Sequence, residues 1–497
     1  MNYIEKIFFF KKKFELFQKI GRLSKIFYWI FINMTQTNIP SSEENKVFIR
    51  ENFWMDIESS SKKYAHIIMI ATKPDIIKQA PLYLELKSRG ELVVLVHTGQ
   101  HYDYNLSMWV LQEFEMEVDV NLNIFWPIHK KFSLIVERLG NFLVELNQNF
   151  KKIPIPYVHG DTLTAATADK AAFLNKFAVV HVEAGIRTLT PKKEFYENLF
   201  QNYEKWIFSW DEYYQALQKR DLYELWSIEP YPEQFDTRSI EGSTGLFAAP
   251  VELYRDTLIW EWHDPDKIKV VGNTVVDAIE ISKKKISSSK AFEIYPNMKG
   301  KKFIFVTIHR RENCEKKERF LTLYYALKKL IQSWTPVCFL GLYASEWAID
   351  NYWLRADIQE LQKKYPDNFA YGPALAHHAE VIDMISQAGA IVTDSGSMQE
   401  EANIVGTPCV TLRFGSDRTE TILHGANIIA PPVNSNLIAE IIQWAIDHPK
   451  MRTSNIYWTN VSKKIVDEVL LMLQHQGKLF QFDDERLGLE KYINWKI

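Results

Sequence analysis

Residues 157–187, Tyr-Val-His-Gly-Asp-Thr-Leu-Thr-Ala-Ala-Thr-Ala-Asp-Lys-Ala-Ala-Phe-Leu-Asn-Lys-Phe-Ala-Val-Val-His-Val-Glu-Ala-Gly-Ile-Arg, decide the fold. The apolar run Ile155–Val158 leads into His159-Gly-Asp-Thr162, and the run Ala178–Val182 leads into Glu183-Ala-Gly-Ile-Arg187. Ala165 to Lys176 between them reads as a helix, so the unit is strand, loop, helix, strand, loop. Both loops of such a unit emerge at one edge of a parallel sheet, where ligands bind. Asp161 and Glu183 are therefore expected to face one cleft. Two acids brought together there can have their pKa values driven apart and serve as acid and base. The plainer alternative is that each acid caps the helix after it or accepts a backbone N–H.

Working outward, short β-branched or aromatic runs recur at His66–Ile70, Leu92–Val96 and Ile268–Val271. A second series follows at Phe303–Thr307, Val337–Leu340, Ala390–Val392, Cys409–Leu412 and Asn427–Ala430. Helix-length segments separate them, and that alternation predicts parallel sheets. A chain of 497 residues exceeds one ordinary core, and the strands divide better into two sheets than one, with a break near Gly272-Asn-Thr274. The expected fold class is α/β: two Rossmann-like, doubly wound parallel-sheet domains facing a central cleft, with a helical insertion. The expected boundaries are 1–62 for an N-terminal extension, 63–271 and 272–450 for the two domains, and 451–497 for terminal helices returning to the first domain.

Composition narrows the function. Hydrophobic residues make up 46%, charged residues 24%, and the net charge is −3, so there is no general attraction to nucleic acid or anionic membrane. Cys314, Cys338 and Cys409 are scattered, without metal or disulfide spacing, which suits a reducing, cytoplasmic setting. Residues 1–33 alternate lysine and arginine with phenylalanine, tyrosine and tryptophan. Their apolar runs are far shorter than the roughly 20 residues that span a bilayer. A basic amphipathic helix of this kind would lie on a membrane surface; translation beginning at Met34 is the favoured reading. Thr190 to Glu229 shows no strand signal but carries eleven aromatics from Phe195 to Trp226. One or two amphipathic helices are expected there, within the first domain, as a lid, an oligomer contact, a partner surface or a plain structural insertion.

Every chemical motif follows a strand. Thr393-Asp-Ser-Gly-Ser397 opens a helix at about Met398, and small residues before a helix N-terminus form an anion site. Ser395, Gly396 and Ser397 are expected on a diphosphate, and Glu401 on ribose hydroxyls. His309-Arg-Arg-Glu312 places cations at a sheet edge, suited to a leaving phosphate or to a structural ion-pair cluster. Lys73 and Lys78 follow the first strand, Thr98-Gly-Gln-His101 follows the second, and Arg413 and Arg418 follow the strand at Cys409.

As an ordered set these motifs resemble the non-hydrolysing UDP-N-acetylglucosamine 2-epimerases, from about Tyr64 to the C-terminal helix. The marks are Thr72-Lys-Pro-Asp-Ile-Ile-Lys-Gln-Ala-Pro81, Thr98-Gly-Gln-His101, His159-Gly-Asp-Thr162, His181-Val-Glu-Ala-Gly185, Pro232-Glu233, Gly272-Asn-Thr274, His309-Arg-Arg-Glu312, and Thr393-Asp-Ser-Gly396 with Gln399-Glu-Glu401. The resemblance implies a fold shared with GT-B glycosyltransferases, a UDP-sugar in the cleft, a homodimer and glycan-precursor synthesis. It implies UDP elimination through a 2-acetamidoglucal and re-addition with C2 inverted, without metal or redox cofactor. No Gly-x-Gly-x-x-Gly fingerprint is present. Acid/base roles fall by resemblance on Asp161, Glu183 and Glu233, with His309 stabilising the diphosphate. Lys73, Lys78, Gln100, His101, Arg187, Arg310, Ser395, Gly396, Ser397, Glu401 and Arg418 are expected to bind the UDP-sugar.

Departures from the family pattern are specific. Gly-Thr-Arg-Pro becomes Ala71-Thr-Lys-Pro74, replacing a bidentate fork by a point charge. Pro-Glu-Glu-x-Asn-Arg becomes Pro232-Glu-Gln-Phe-Asp-Thr237, and the second glycine of Ser-Gly-Gly becomes Ser397. Leu340-Gly-Leu-Tyr343 lacks a histidine associated with activation by a second UDP-sugar. The aromatic insertion has no counterpart in the usual pattern. Alternatives to the epimerase are a hydrolysing 2-epimerase releasing N-acetylmannosamine and UDP, a GT-B glycosyltransferase, and a catalytically silent nucleotide-sugar-binding protein.

Overall fold

The computed structural model describes residues 46–99, 104–124, 128–205, 209–489 and 492. The basic, aromatic segment 1–33 lies outside the described residues, as do Gln100 and His101. Both sheets belong to one unit, Val47–Ile497; of the other unit, Met1–Lys46, only Lys46 is described.

The first sheet is built from β1 (Phe48–Ile49), β2 (Tyr64–Ile70), β3 (Leu92–His97), β4 (Val120–Asn121), β5 (Ile153–His159), β6 (Val179–Val182), β9 (Thr244–Ala249) and β10 (Ile268–Val270). Their order is β1-β4-β3-β2-β5-β6-β9-β10, parallel throughout except for the β1 edge. Along β2, Ile68 and Ile70 enter one apolar cluster while Ile67 and Met69 enter another on the opposite face. Both faces are covered, which is why β2 reads as a continuous apolar run.

The second sheet comprises β11 (Ile304–Thr307), β12 (Val337–Gly341), β13 (Phe369–Pro373), β14 (Ala390–Thr393), β15 (Cys409–Thr411) and β16 (Asn427–Ile429). It is wholly parallel, in the order β13-β12-β11-β14-β15-β16. All strands of the first sheet precede Gly272 and all strands of the second follow it. The order reverses direction between β2 and β5 and between β11 and β14, and crevices open at such points.

The aromatic segment, which the sequence reading placed in the first domain, packs against the second half. Its helices, Lys193–Glu204 and Trp210–Leu217, bury Tyr196, Leu199, Tyr213, Tyr214 and Leu217 in one cluster with Ile428, Leu437, Ile438 and Ile441 of the second half. The tyrosine hydroxyls are matched to second-half carbonyls: Tyr213 donates to Ile429 O at 2.9 Å, Tyr214 to Gly425 O at 2.7 Å, and Tyr196 to Phe414 O. A two-stranded ribbon, β7 (Thr190–Pro191) with β8 (Tyr223–Glu224), closes the excursion. Burial of its aromatics in a distant core explains the dense aromatic pattern better than a lid or exposed contact. The return strap is Val461–Gln476, whose Val461, Ile465, Val466, Val469 and Leu473 pack with Ile68 and Ile70 of the first sheet. At about 1.5–3 kcal/mol per fully buried aliphatic side chain, each strap contributes substantially to joining the halves. No helix among the described residues is long and apolar enough to cross a membrane.

Candidate active site

The loops after β5 and β6 are shaped by backbone that only small or strained residues tolerate. Gly160 and Gly185 adopt φ of +60° and +82°, and a Cβ on Gly185 would lie 2.5 Å from Tyr254 O. Glu183 itself sits at φ +63°, a left-handed conformation rare for a non-glycine and costing on the order of 1 kcal/mol or more. This turn carries Glu183 into the seam between the halves.

Glu183 is buried and saturated with donors. Its Oε1 accepts from Lys78 Nζ and, at 2.6 Å, from Asn273 Nδ2; its Oε2 lies 3.2 Å from both His159 Nε2 and Arg418 Nη2. Lys78 and Arg418 are shared with a second buried acid, Glu400, which accepts from Lys78 at 2.5 Å, from Asn273 at 2.9 Å and from Arg418 Nε. Burial alone would raise the Glu183 pKa, but Lys78, His159 and Arg418 outweigh it and hold the carboxyl well below its usual range. Burial lowers His159, yet the Glu183 charge and the Asp75 contact reverse the shift and raise it to about 9. For Glu400 burial prevails, and its pKa is raised despite Arg418 and Lys78.

Beside this cluster lies a second group of acids with far fewer cations. Asp161 is partly exposed; burial of its carboxyl raises its pKa, opposed by Arg418 and reinforced by Glu233. Glu233 accepts from Arg310 Nη1 at 2.5 Å through Oε1, while its buried Oε2 has no hydrogen-bond partner among the described residues. Asp236, on the same helix (Glu233–Ile240), is buried and raised to about 7 by that burial and by the charges of Asp161 and Glu233.

A cleft of about 800 Å³ opens between the halves, lined by Lys73 and Lys78 of the first and by His309, Ser395, Ser397 and Glu401 of the second, among others. Its floor is the N-terminus of the helix Gly396–Val405. A Cβ on Gly396 would approach Asp417 Oδ2 to 3.2 Å, so glycine lets Asp417 and Arg418 close on this turn. Buried Asp394 accepts from the backbone N–H of His309 at 3.0 Å and of Arg310 at 3.1 Å, and from Asn313 Nδ2 at 3.0 Å. It pins the β11 loop to the β14 loop and so fixes where His309 and Arg310 project. Burial lowers the His309 pKa against the opposing pull of Asp394, so its imidazole is neutral at pH 7.

The expected residues divide into groups. Asp161, Glu183, Glu233, Arg310 and Arg418 come together in the seam, and Lys73, Lys78, His309, Ser395, Ser397 and Glu401 line the cleft beside it. Lys73 donates to the carbonyls of Leu375 at 2.9 Å and Ala376 at 3.3 Å, bridging the halves. The Lys78 ammonium is already held by Glu183 and Glu400, which leaves little of its charge for a phosphate. Arg187 departs from expectation. It is buried, and its guanidinium is committed to Glu241, to Glu261 at 2.5 Å and to Ile186 O at 2.9 Å, not to a ligand. Glu241, Glu261 and His263 also have metal-ligand spacing, but Arg187 is already paired with both carboxylates.

Sequence reasoning missed Glu400, Asn273, Asp236 and Asp394 as site residues. The adjacent pair Glu400-Glu401 offered no sign of which carboxylate turns inward. Asp236, standing where the family pattern has asparagine, was visible as a departure and carried a signal.

Comparison with known proteins follows the same outline. A family model described as UDP-N-acetylglucosamine 2-epimerase matches residues 84–203 and 227–470. The UDP-N-acetylglucosamine 2-epimerase of Bacillus subtilis is 28% identical over 423 residues, covering 82% of this chain and 96% of its own. That of Neisseria meningitidis serogroup A is 27% identical over 416 residues, covering 82% and 98%. A crystal structure of UDP-GlcNAc 2-epimerase from Neisseria meningitidis bound to UDP-GlcNAc matches with a TM-score of 0.65 at 26% identity, covering 82% of this chain and 100% of that one. The family match runs through residue 203, so most of the first aromatic helix falls within it, and of the aromatic segment only 204–226 stand outside.

Proposed function

We propose that this chain, which belongs to the UDP-N-acetylglucosamine 2-epimerase family, interconverts UDP-N-acetylglucosamine and UDP-N-acetylmannosamine by inverting C2. The observation that carries the chemistry is the contrast between the two groups of acids. Glu183 is held ionised by four donors, so giving it a proton would break a buried, compensated network. Asp161 has a raised pKa, and Glu233 keeps one oxygen unpartnered, as a proton-exchanging pair requires.

In this reading one of the two carboxylates takes the C2 proton while the C1–O bond breaks and UDP leaves with its electron pair. A C1=C2 double bond forms in the sugar. His309, Arg310 and the backbone N–H groups at Ser395–Gly396 receive the diphosphate, since donors at a helix N-terminus favour anions. The other carboxylate then delivers a proton to the opposite face of C2 as UDP re-adds to C1. Glu183 acts by holding Lys78 and Arg418 in place beneath the reacting sugar.

Incubation with UDP-N-acetylglucosamine in deuterated water tests the reading. Deuterium at C2 of both intact UDP-sugars is expected. Accumulation of free N-acetylmannosamine and UDP would identify a hydrolysing enzyme instead, and UDP binding without exchange would overturn catalysis altogether.

A further inference from the structure

A line of four buried polar side chains runs from the first half of the molecule to the wall of the large cleft. Glu113 ends the first-half helix Tyr104–Glu113, and Ser282 lies near the end of the helix Val275–Lys283. His378 opens the helix His378–Gln387, and Glu401 stands on the helix Gly396–Val405, whose N-terminus is the cleft floor. All four are buried, and His378 and Glu401 line the cleft. Ser282 Oγ lies 3.2 Å from Glu113 Oε1 and 2.8 Å from His378 Nδ1, and His378 Nε2 lies 3.4 Å from Glu401 Oε1.

Proton counting gives the line a direction. Ser282 has one proton and two acceptors within reach, Glu113 and His378. Glu113 already receives two backbone N–H groups, from His378 at 2.6 Å and from Ala379 at 2.9 Å. The shorter contact, to His378 Nδ1, therefore takes the Ser282 proton. That leaves the imidazole proton on Nε2, where it points at Glu401.

The first half also fixes the backbone and the ring of His378. Lys73 donates to the carbonyls of Leu375 and Ala376 just before it, and Phe114 packs on the imidazole with ring centroids 6.1 Å apart. Among the described residues His378 is the only hydrogen-bond donor to the Glu401 carboxylate. Neighbouring Glu400, by contrast, is held by Lys78, Asn273 and Arg418. The orientation of Glu401 thus depends on one imidazole. Building on the reading that the cleft takes a UDP-sugar and that Glu401 meets its ribose hydroxyls, we propose that His378 and Ser282 are positioning residues for the nucleoside. They hold Glu401 toward the ribose, and Glu113 ties that alignment to the contact between the halves.

Calorimetry on the full chain with UDP and with 2′,3′-dideoxy-UDP tests this, because the second ligand lacks both hydroxyls and keeps the diphosphate. The unaltered protein is expected to bind UDP at least about tenfold tighter than the dideoxy form. His378→Leu should bring the two affinities within about threefold of each other, through loss of UDP affinity alone. His378→Gln, whose amide can still donate, should keep most of the preference. Ser282→Ala, a mild change at a buried position, should lower it partway, which keeps the test sound if His378→Leu misfolds. A role in packing alone would weaken both nucleotides equally. An unchanged ratio in His378→Leu and Ser282→Ala, or no preference in the unaltered protein, would overturn the proposal. Absence of deuterium exchange with the nucleotide preference intact would sink the catalytic reading alone, and failure to bind UDP would sink both.

Discussion

Two clusters of acids meet in the same seam and differ in what surrounds them. Around Glu183 and Glu400, the donors Lys78, Asn273, Arg418 and His159 satisfy nearly every carboxylate oxygen. Around Asp161, Glu233 and Asp236, the one cation in direct contact among the described residues is Arg310, on Glu233. On the proposed reading the same residue type does two kinds of work: the carboxylates saturated with donors hold the halves in register, and those with few donors exchange protons with the sugar. On the same reading the strained turn at Glu183 sets geometry, in place of the acid/base role that the family resemblance implied for it.

The largest effect that would break this contrast is catalytic. Asp161→Asn should lower the rate of epimerisation about 10²–10⁴-fold while leaving UDP affinity unchanged. An unaltered rate would remove Asp161 from the chemistry. Next comes the compensated cluster: Lys78→Met leaves Glu183 and Glu400 buried without their shared ammonium and should cost about 3–5 kcal/mol in urea unfolding. A loss below about 1 kcal/mol would mean that the network is not structural.

Asp236 sharpens the comparison through pH. Its pKa is raised to about 7 in the folded protein, against about 4 in the unfolded chain. Below the unfolded value both states hold the proton, and no penalty exists. As pH rises from about 4 to about 7 the unfolded chain releases a proton that the folded state retains, so stability falls across that window and stays lower above it, where the folded state buries the charge. Asp236→Asn should therefore stabilise the protein by on the order of 2 kcal/mol at pH 8 and leave it unchanged at pH 4. A stabilisation independent of pH would show that burial and the neighbouring acids do not raise the Asp236 carboxyl. The smallest effect concerns the excursion: Tyr213→Phe removes the hydrogen bond to Ile429 O and should cost about 1 kcal/mol, readable as a lowered melting temperature.

Much of this was legible in the sequence, for physical reasons. Strands covered on both faces announce themselves as apolar runs, and ligand loops must follow them, so β5, β6, β11, β14 and β15 with their acids and cations were readable. Strands whose composition contradicts their role were not. Thr244–Ala249 carries Gly245, demanded because a Cβ there would lie 2.9 Å from Leu479 Cβ, and Phe369–Pro373 ends in Gly-Pro, which reads as a turn. The aromatic excursion was recognised as helical, but its packing partner was hidden, because a cluster of tyrosines shows that something is buried without showing against what. The choice between Glu400 and Glu401, and the saturation of Glu183, depend on Lys78, which lies 105 residues from Glu183 and 322 from Glu400, a separation that local pattern does not encode.

The most direct test uses UDP-sugars deuterated at C2, following loss of label into ordinary water from each epimer separately. The account predicts a reciprocal pattern: Asp161→Asn slows washout from one epimer, and Glu233→Gln slows it from the other. Washout equally unaffected from both epimers in both variants would contradict the assignment of proton exchange to the under-compensated acids.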